Sequence, residues 1–138
     1  MAAARYEYYE HDADVGVMGR GATVEEAFES AAAGMFSIMT DISAVREERT
    51  VRFEFEEADL ELALVRWLNL LLAKAREHGM VFSVFRVEQD GVVWRGSATG
   101  EPWRRGLERG VEVKGATLTT LSVQEKGGEW NAACVVDV

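Results

Sequence analysis

Two short stretches at opposite ends of the chain carry the residues best suited to chemistry. The first is HDAD, which places His11, Asp12 and Asp14 within four positions. The second is the closing CVVDV, which ends on Asp137 and the α-carboxylate of Val138. Both stretches adjoin apolar, strand-like residues, and both offer carboxylate oxygens, which are the ligands that hard cations such as Ca²⁺ and Mg²⁺ prefer.

The spacing within HDAD predicts that its two acidic side chains lie on the same side of the chain. In an extended segment, residues two apart point the same way, so Asp12 and Asp14 lie on one side and His11 on the other. Neighbouring carboxylates repel each other unless a cation or a base lies between them. Taken alone, the stretch is more typical of a solvated loop. If the first and last strands are neighbours, however, four carboxylates meet, and together they predict a hard-cation site.

The sequence after HDAD predicts the elements that must bring the two chain ends together. Strand-like segments cover residues 5–9 and 15–18. They are followed by GATVEEAFESAAAGMFSIM, in which apolar residues recur at helical spacing. Thr23 is a suitable N-cap, and Glu26, three residues on, completes a capping box. TVRFEFEE then alternates apolar and charged residues, the pattern of a half-buried strand.

The second half of the chain predicts one more helix and then strands. ADLELALVRWLNLLLAKAREHG begins at a capping Asp59 and ends at Gly79. Two hairpins follow, with turns at Asp90–Gly91 and Gly127–Gly128. We therefore predict a single domain over residues 1–138 of the α+β class. Its two helices pack on one mostly antiparallel β-sheet, in the order β-α-β-α-β-β-β-β.

Composition excludes several classes of function. The chain has 138 residues and a formal net charge of −9, from 24 acidic and 15 basic residues. Proteins that bind nucleic acid unaided need a basic face, so any contact with RNA is expected to be indirect. One cysteine and two histidines are too few for a structural zinc site or a disulfide. Without a secretory signal or an apolar run of membrane-spanning length, we expect a cytoplasmic protein that does not contact membranes.

Several segments, taken in order, resemble the archease family over nearly the whole chain. They are YEHDADVGV with the following GATVEEAFESAAAGMFSIMTD, then DLELALVRWLNLLLAKAREHGMVFSVF, GVEVKGATL and the closing WNAACVVDV. The resemblance implies a protein cofactor that is not itself an enzyme. Its expected partner is an RtcB-type RNA ligase of tRNA splicing and RNA repair, which joins 2′,3′-cyclic-phosphate or 3′-phosphate ends to 5′-hydroxyl ends with GTP and Mn²⁺. The family promotes guanylylation of that ligase and its repeated turnover.

The resemblance also assigns roles to individual residues. It implies a divalent metal site at Asp14 and Asp137, with the terminal Val138 and with Asp41 after the first helix. Ca²⁺ is the expected ion, with Mn²⁺ and Mg²⁺ as alternatives. Lys114, in the EVK segment, is expected beside this cluster, in contact with the partner's active site, as are His11 and Asp12.

Two other classes of function stay open at this point. A metal-dependent hydrolase would use the same acids, but no nucleophile–base pair or phosphate-binding loop accompanies them. A chaperone or modulator of an RNA-modifying enzyme, such as a tRNA methyltransferase, fits the same residues. Trp103 with Arg104 and Arg105, in the one basic cluster, is either a docking point for a partner or an ordinary loop.

Overall fold

The computed structural model describes residues 5–11 and 13–138. Its helices are α1 (Val24–Met39) and α2 (Leu60–His78), and a short 3-10 turn covers Ile42–Ala44. The strands are β1 (Arg5–His11), β2 (Asp14–Gly21), β3 (Arg49–Glu56), β4 (Met80–Asp90), β5 (Val93–Pro102), β6 (Gly115–Ala116), β7 (Ser122–Lys126) and β8 (Glu129–Asp137). Among the helices of this described part, none is both long and apolar enough to cross a bilayer.

The α+β class and the antiparallel pairing are confirmed, while the single sheet and the order of elements need correction. The strands divide between two antiparallel sheets, the first in the order β1-β2-β8-β6 with β7 also on β8, and the second in the order β3-β5-β4. Two strands precede α1 instead of one, and β6 forms a separate short strand. Strand periodicity predicts where strands lie, but their partners depend on contacts far apart in the chain.

The predicted helix boundaries are confirmed, with one change in capping. The Thr23 side chain accepts a hydrogen bond from the Glu26 N–H at 3.1 Å, while the Glu26 carboxylate accepts from the Ala22 N–H at 2.9 Å, one residue before the cap. Asp59 caps α2 by accepting from the Leu62 N–H at 3.0 Å. Gly79 ends that helix with a φ of 63°, the left-handed conformation that favours glycine.

Helix α1 is buried because it packs between the two sheets. Toward the first sheet it presents small residues, and a Cβ at Gly19 of β2 would overlap the backbone of Ala27 and Ala31. Toward the second sheet it presents aromatic residues: Phe28 stacks on Trp94 with ring centroids 4.9 Å apart. Because α1 contacts a sheet on each side, its apolar surface is wider than the single stripe of a helix that covers only one sheet.

One buried carboxylate fixes the loop that follows β5. Glu101 is 1% exposed. It accepts hydrogen bonds from the Arg104 Nε at 2.7 Å and from the Arg46 N–H at 2.6 Å. The hydrogen bond from Arg104, more than the other contacts, holds the pKa of Glu101 below its ordinary value of 4.5. Glu101 therefore joins the loop after α1 to the basic segment 103–109.

We expect Glu101→Gln to lose stability in a pH-dependent way. A carboxyl with a lowered pKa stabilises the fold above its unfolded-state pKa, and this contribution disappears as pH falls through the folded value. The difference in melting temperature between wild type and Glu101→Gln should therefore be largest near about pH 7. It should shrink as pH falls below the ordinary Glu value of 4.5. Glu47→Gln, an exposed change in the loop that Glu101 anchors, serves as the control. A difference that is independent of pH would contradict the assignment.

Candidate functional site

The register of the first sheet brings the two chain ends together. Strands β2 and β8 pair antiparallel with Val15 opposite Val136, so the register sets Asp14 beside Asp137, one residue further on each strand. On the other side of β2, His11 of β1 lies opposite Asp14. Three neighbouring strands thus end in one row, formed by His11, Asp14 and Asp137, which we call the acidic row. The expected adjacency of the first and last parts of the chain is confirmed.

The acidic row lies on the outer face of the sheet. Gly19 faces α1, and side chains alternate along a strand, so Asp14 points to the opposite, outer face. Asp14 is half-buried and Asp137 is exposed. In a continuous extended segment, His11 would point away from Asp14. Here the chain reverses between β1 and β2, and directly paired residues of two strands share a face.

The last residues of the chain are anchored. The Lys114 N–H donates to the backbone oxygen of Asp137 at 2.7 Å, and Gly115 pairs with Asp137 across the sheet. The side chain of Val138 is half-buried and packs against the core. The terminal carboxylate is therefore held at the end of β8, close to Asp137, and Lys114 follows the same edge.

Two polar residues of α2 position this edge, and the sequence analysis missed both. Asn69 donates to the Ala116 backbone oxygen at 3.2 Å and accepts from the Ala116 N–H at 2.9 Å, so it pairs with the segment as a neighbouring strand would. Arg76 donates to the backbone oxygens of Val113 and Lys114, both at 2.9 Å. The sequence did contain one signal for Asn69, which is an asparagine within the apolar run VRWLNLLL. A partly buried side-chain amide needs a specific hydrogen-bond partner.

Tyr9 closes the outer face next to the acidic row. It pairs with Gly16, and a Cβ at Gly16 would overlap the Tyr9 ring, so the glycine lets the ring lie across β2. The Tyr9 hydroxyl is 2.6 Å from the hydroxyl of Thr120, which lies in the loop before β7 and has a φ of 49°. This contact ties β1 to the far side of β8. It was also missed, because residues 111 apart in sequence carry no local signal.

The remaining predicted site residues lie elsewhere or outside the described structure. Asp41 caps the 3-10 turn: its carboxylate accepts from the Ser43 hydroxyl at 2.6 Å and from the Ser43 N–H at 3.1 Å. These bonds hold the pKa of Asp41 below its usual range. They are the bonds of a cap, so a role of Asp41 in the site stays a prediction. Asp12 lies outside the described residues.

The acidic row offers an incomplete set of metal ligands by itself. Within residues 5–11 and 13–138, no group of three or more His, Cys, Asp or Glu side chains is placed so as to hold a metal ion. The donors at the edge are the carboxylates of Asp14 and Asp137 together with the terminal carboxylate, all hard oxygen groups. Because Ca²⁺ takes about six to eight oxygen ligands, any ion here needs further ligands from water, backbone carbonyls or a partner.

The single thiol does not take part in this site. Cys134 lies on β8 opposite Val17 and is 1% exposed. Burial raises the pKa of its thiol to about 12, so the reactive thiolate is scarce at neutral pH. Cys134 is a core residue, as its alternation with Val136 indicates.

A model of the Archease protein family (MTH1598/TM1083) matches residues 6–138. The chain is 37% identical to protein archease of Aeropyrum pernix, with 100% of both chains covered. It is 37% identical to protein archease of Thermococcus gammatolerans, which covers 97% of this chain and 99% of the relative.

Two solved structures share the fold. The solution structure of Methanobacterium thermoautotrophicum protein 1598 superposes with a TM-score of 0.82 at 30% identity, covering 96% of this chain and 98% of the other. The crystal structure of a Thermotoga maritima archease, described as a possible chaperone, gives a TM-score of 0.67 at 19% identity and covers 94% of each chain.

Proposed function

This chain belongs to the archease family, and on that premise we propose that it activates an RtcB-type RNA ligase in tRNA splicing and RNA repair. In this role it is a protein cofactor that promotes guanylylation of the ligase and its multiple turnover. The observation that carries the proposal is the pairing of β2 with β8, which sets Asp14 beside Asp137 at one end of the sheet. A pair of carboxylates at a sheet end is suited to enter the active site of a larger partner.

Charge and position favour action on an enzyme instead of on RNA. Asp14 and Asp137 lie on the outer face, and the chain as a whole carries a net charge of −9. Such a surface repels the phosphate backbone, so RNA is contacted through the ligase. Lys114 extends from the same edge through its backbone bond to Asp137. In this proposal its ammonium group would balance the acids or contact a phosphate in the partner's active site.

The metal site is part of the same proposal. Asp14, Asp137 and the carboxylate of Val138 would hold a divalent cation, with Ca²⁺ expected and Mn²⁺ or Mg²⁺ as alternatives, because all three groups are hard oxygen donors. Bound there, the ion neutralises carboxylates that otherwise repel one another. The Lys114 N–H holds the backbone of Asp137, and the hydrogen bonds of Asn69 and Arg76 hold the segment around Lys114 that lies beside it.

Metal binding to the native chain should raise its melting temperature. A ligand that binds only the folded state stabilises it by RT ln(1 + [L]/Kd), or about 2.7 kcal/mol at a concentration of 100 Kd. We expect Ca²⁺ to raise the melting temperature of wild type in proportion to the logarithm of its concentration, and to leave Asp14→Ala unchanged. Asp90→Ala, at an exposed hairpin turn, should respond as wild type does. Equal responses of wild type and Asp14→Ala would refute the site.

The activation itself is tested by ligation with RNA in excess over purified ligase. We expect the ligase alone to stop after about one turnover and to continue when this protein is added. Equal product with and without the protein would contradict the proposal.

A second candidate is a chaperone or modulator of an RNA-modifying enzyme such as a tRNA methyltransferase. The observation that favours it is the shared fold with the Thermotoga maritima archease, which is described as a possible chaperone. In that case the protein should suppress aggregation of the heated methyltransferase and should leave ligase turnover unchanged.

A further inference from the structure

A cavity of about 390 Å³ lies between the C-terminal ends of the two helices and the segment 103–113. We call it the helix-end cavity. Most of its lining is apolar, including Phe36, Met39, Leu72, Met80, Trp103 and Val113. Its volume falls within the range typical of ligand-binding cavities, about 300–1,000 Å³. The function proposed above makes no use of this cavity.

The rim of the cavity is basic although the protein as a whole is acidic. Arg76 and Arg109 both line it, and the guanidinium of Arg109 lies 4.0 Å from the centre of the Trp103 ring. Both arginines are exposed, and Glu112 is the one acid among the lining residues. Beside these charges Val111 is 54% exposed and adds apolar surface at the mouth of the cavity.

The cavity and the acidic row share one segment of chain. Val111 and Val113 line the cavity, Lys114 donates to Asp137, and Gly115 pairs with that same residue. Three residues of extended chain span at most about 10 Å, so Val111 lies within about 10 Å of Lys114. A typical protein interface buries about 800 Å² on each partner, which is enough to cover both features at once.

From these observations we infer that the helix-end cavity is a docking pocket for the partner ligase, and that it receives a large apolar side chain flanked by an aspartate or glutamate. The apolar lining takes the side chain, and the exposed arginines at the rim attract the neighbouring acid. This inference rests on the proposed function, since the ligase is the partner, but it assigns binding to the cavity and leaves activation to the acidic row. It also gives Trp103 and Arg109 of the WRRGLER segment a role.

Two substitutions test the pocket without removing core contacts. Ala75→Leu places additional atoms in the cavity from the wall formed by α2, at a helix position where leucine is well tolerated. Arg109→Glu reverses the charge at the rim, and Arg105→Glu makes the same change in charge in the same loop, at an exposed residue outside the cavity lining. The measurements are the Kd for purified ligase, its dependence on salt, and the unfolding midpoint of each variant.

We expect Ala75→Leu and Arg109→Glu each to weaken binding by about tenfold or more, with Arg105→Glu within about twofold of wild type. Added salt should weaken wild type more than Arg109→Glu. Asp14→Ala should fail to support turnover even at concentrations that saturate the ligase, which separates activation from docking. If both cavity variants bind as wild type does while wild type activates the ligase, the pocket is refuted and the function stands. If Arg105→Glu weakens binding as much as Arg109→Glu, only long-range charge is involved and the pocket is again refuted. If wild type does not bind the ligase, the function and the pocket fail together.

Discussion

Replacing Asp14 and Asp137 together by alanine is expected to reduce ligation with excess RNA to the level of the ligase alone. The register of β2 on β8 places Asp14 and Asp137 opposite each other at the ends of the two strands. Without them the edge keeps its shape but loses its hard oxygen donors. The measurement is product formed per ligase over many turnovers.

The fold should survive this double substitution. Asp14 is half-buried, Asp137 is exposed, and the hydrogen bond from Lys114 goes to the backbone oxygen of Asp137, which alanine retains. Removing two neighbouring negative charges also relieves their repulsion when no ion is present. The free energy of unfolding should therefore change by less than about 1 kcal/mol.

A matched control removes two exposed carboxylates elsewhere. Asp90→Ala with Glu125→Ala makes the same change in net charge on two hairpins away from the acidic row, and this variant should stimulate the ligase as wild type does. Lys114→Ala should weaken stimulation without abolishing it, because Lys114 lies beside the carboxylates but is not itself one of the proposed metal ligands. Full stimulation by the double aspartate variant would leave docking as the whole function.

Replacing Leu68 by alanine is expected to produce a large loss of stability. Leu68 is 0% exposed on the inner face of α2. Truncating a fully buried leucine removes its transfer free energy and leaves a cavity, at a cost of about 2–5 kcal/mol. The measurement is the free energy of unfolding from denaturant titration, with unchanged m-values to confirm that the transition stays two-state.

The same helix supplies the control for this prediction. Leu62 is also a leucine of α2, but it is 42% exposed, so the same Leu→Ala change can be made there at the surface. Leu62→Ala should cost less than about 1 kcal/mol. Similar losses for the two variants would mean that α2 buries a different face from the one described.

Local sequence patterns alone determined the helices and most strands. Thr23 and Asp59 are side chains that can accept hydrogen bonds from free N–H groups, and Gly79 adopts positive φ without strain, so the helix ends could be read directly. The alternation around Phe53 and Phe55 similarly indicated a half-buried strand. These signals act over a few residues, within the reach of a side chain along its own backbone.

Turn placement shows the limit of such local signals. The glycines at 127–128 form the second hairpin turn as predicted. In the first hairpin Asp90 still pairs with Val93, so the two turn residues are Gly91 and Val92, one position later than the predicted turn. The glycine takes the first of the two central positions, with a φ of 63°.

The candidate site needed the tertiary structure, apart from its two acidic stretches. That HDAD and CVVDV carry hard oxygen donors was evident from residue types. Only the register of β2 on β8 sets Asp14 beside Asp137, and only the turn between β1 and β2 brings His11 to the same face. A shift of one residue in that register would send the carboxylate to the opposite face of the sheet.

The division into two sheets and the supports of the site also came from tertiary packing alone. Helix α1 separates the two sheets. Its small residues let the first sheet approach closely, and its aromatic residues fill the space toward the second sheet. Asn69 and Arg76 hold the segment beside β8 across 47 and 37 positions of sequence, and Tyr9 reaches Thr120 across 111. Such contacts form only when separate elements pack together, so no local pattern of charge or hydrophobicity encodes them.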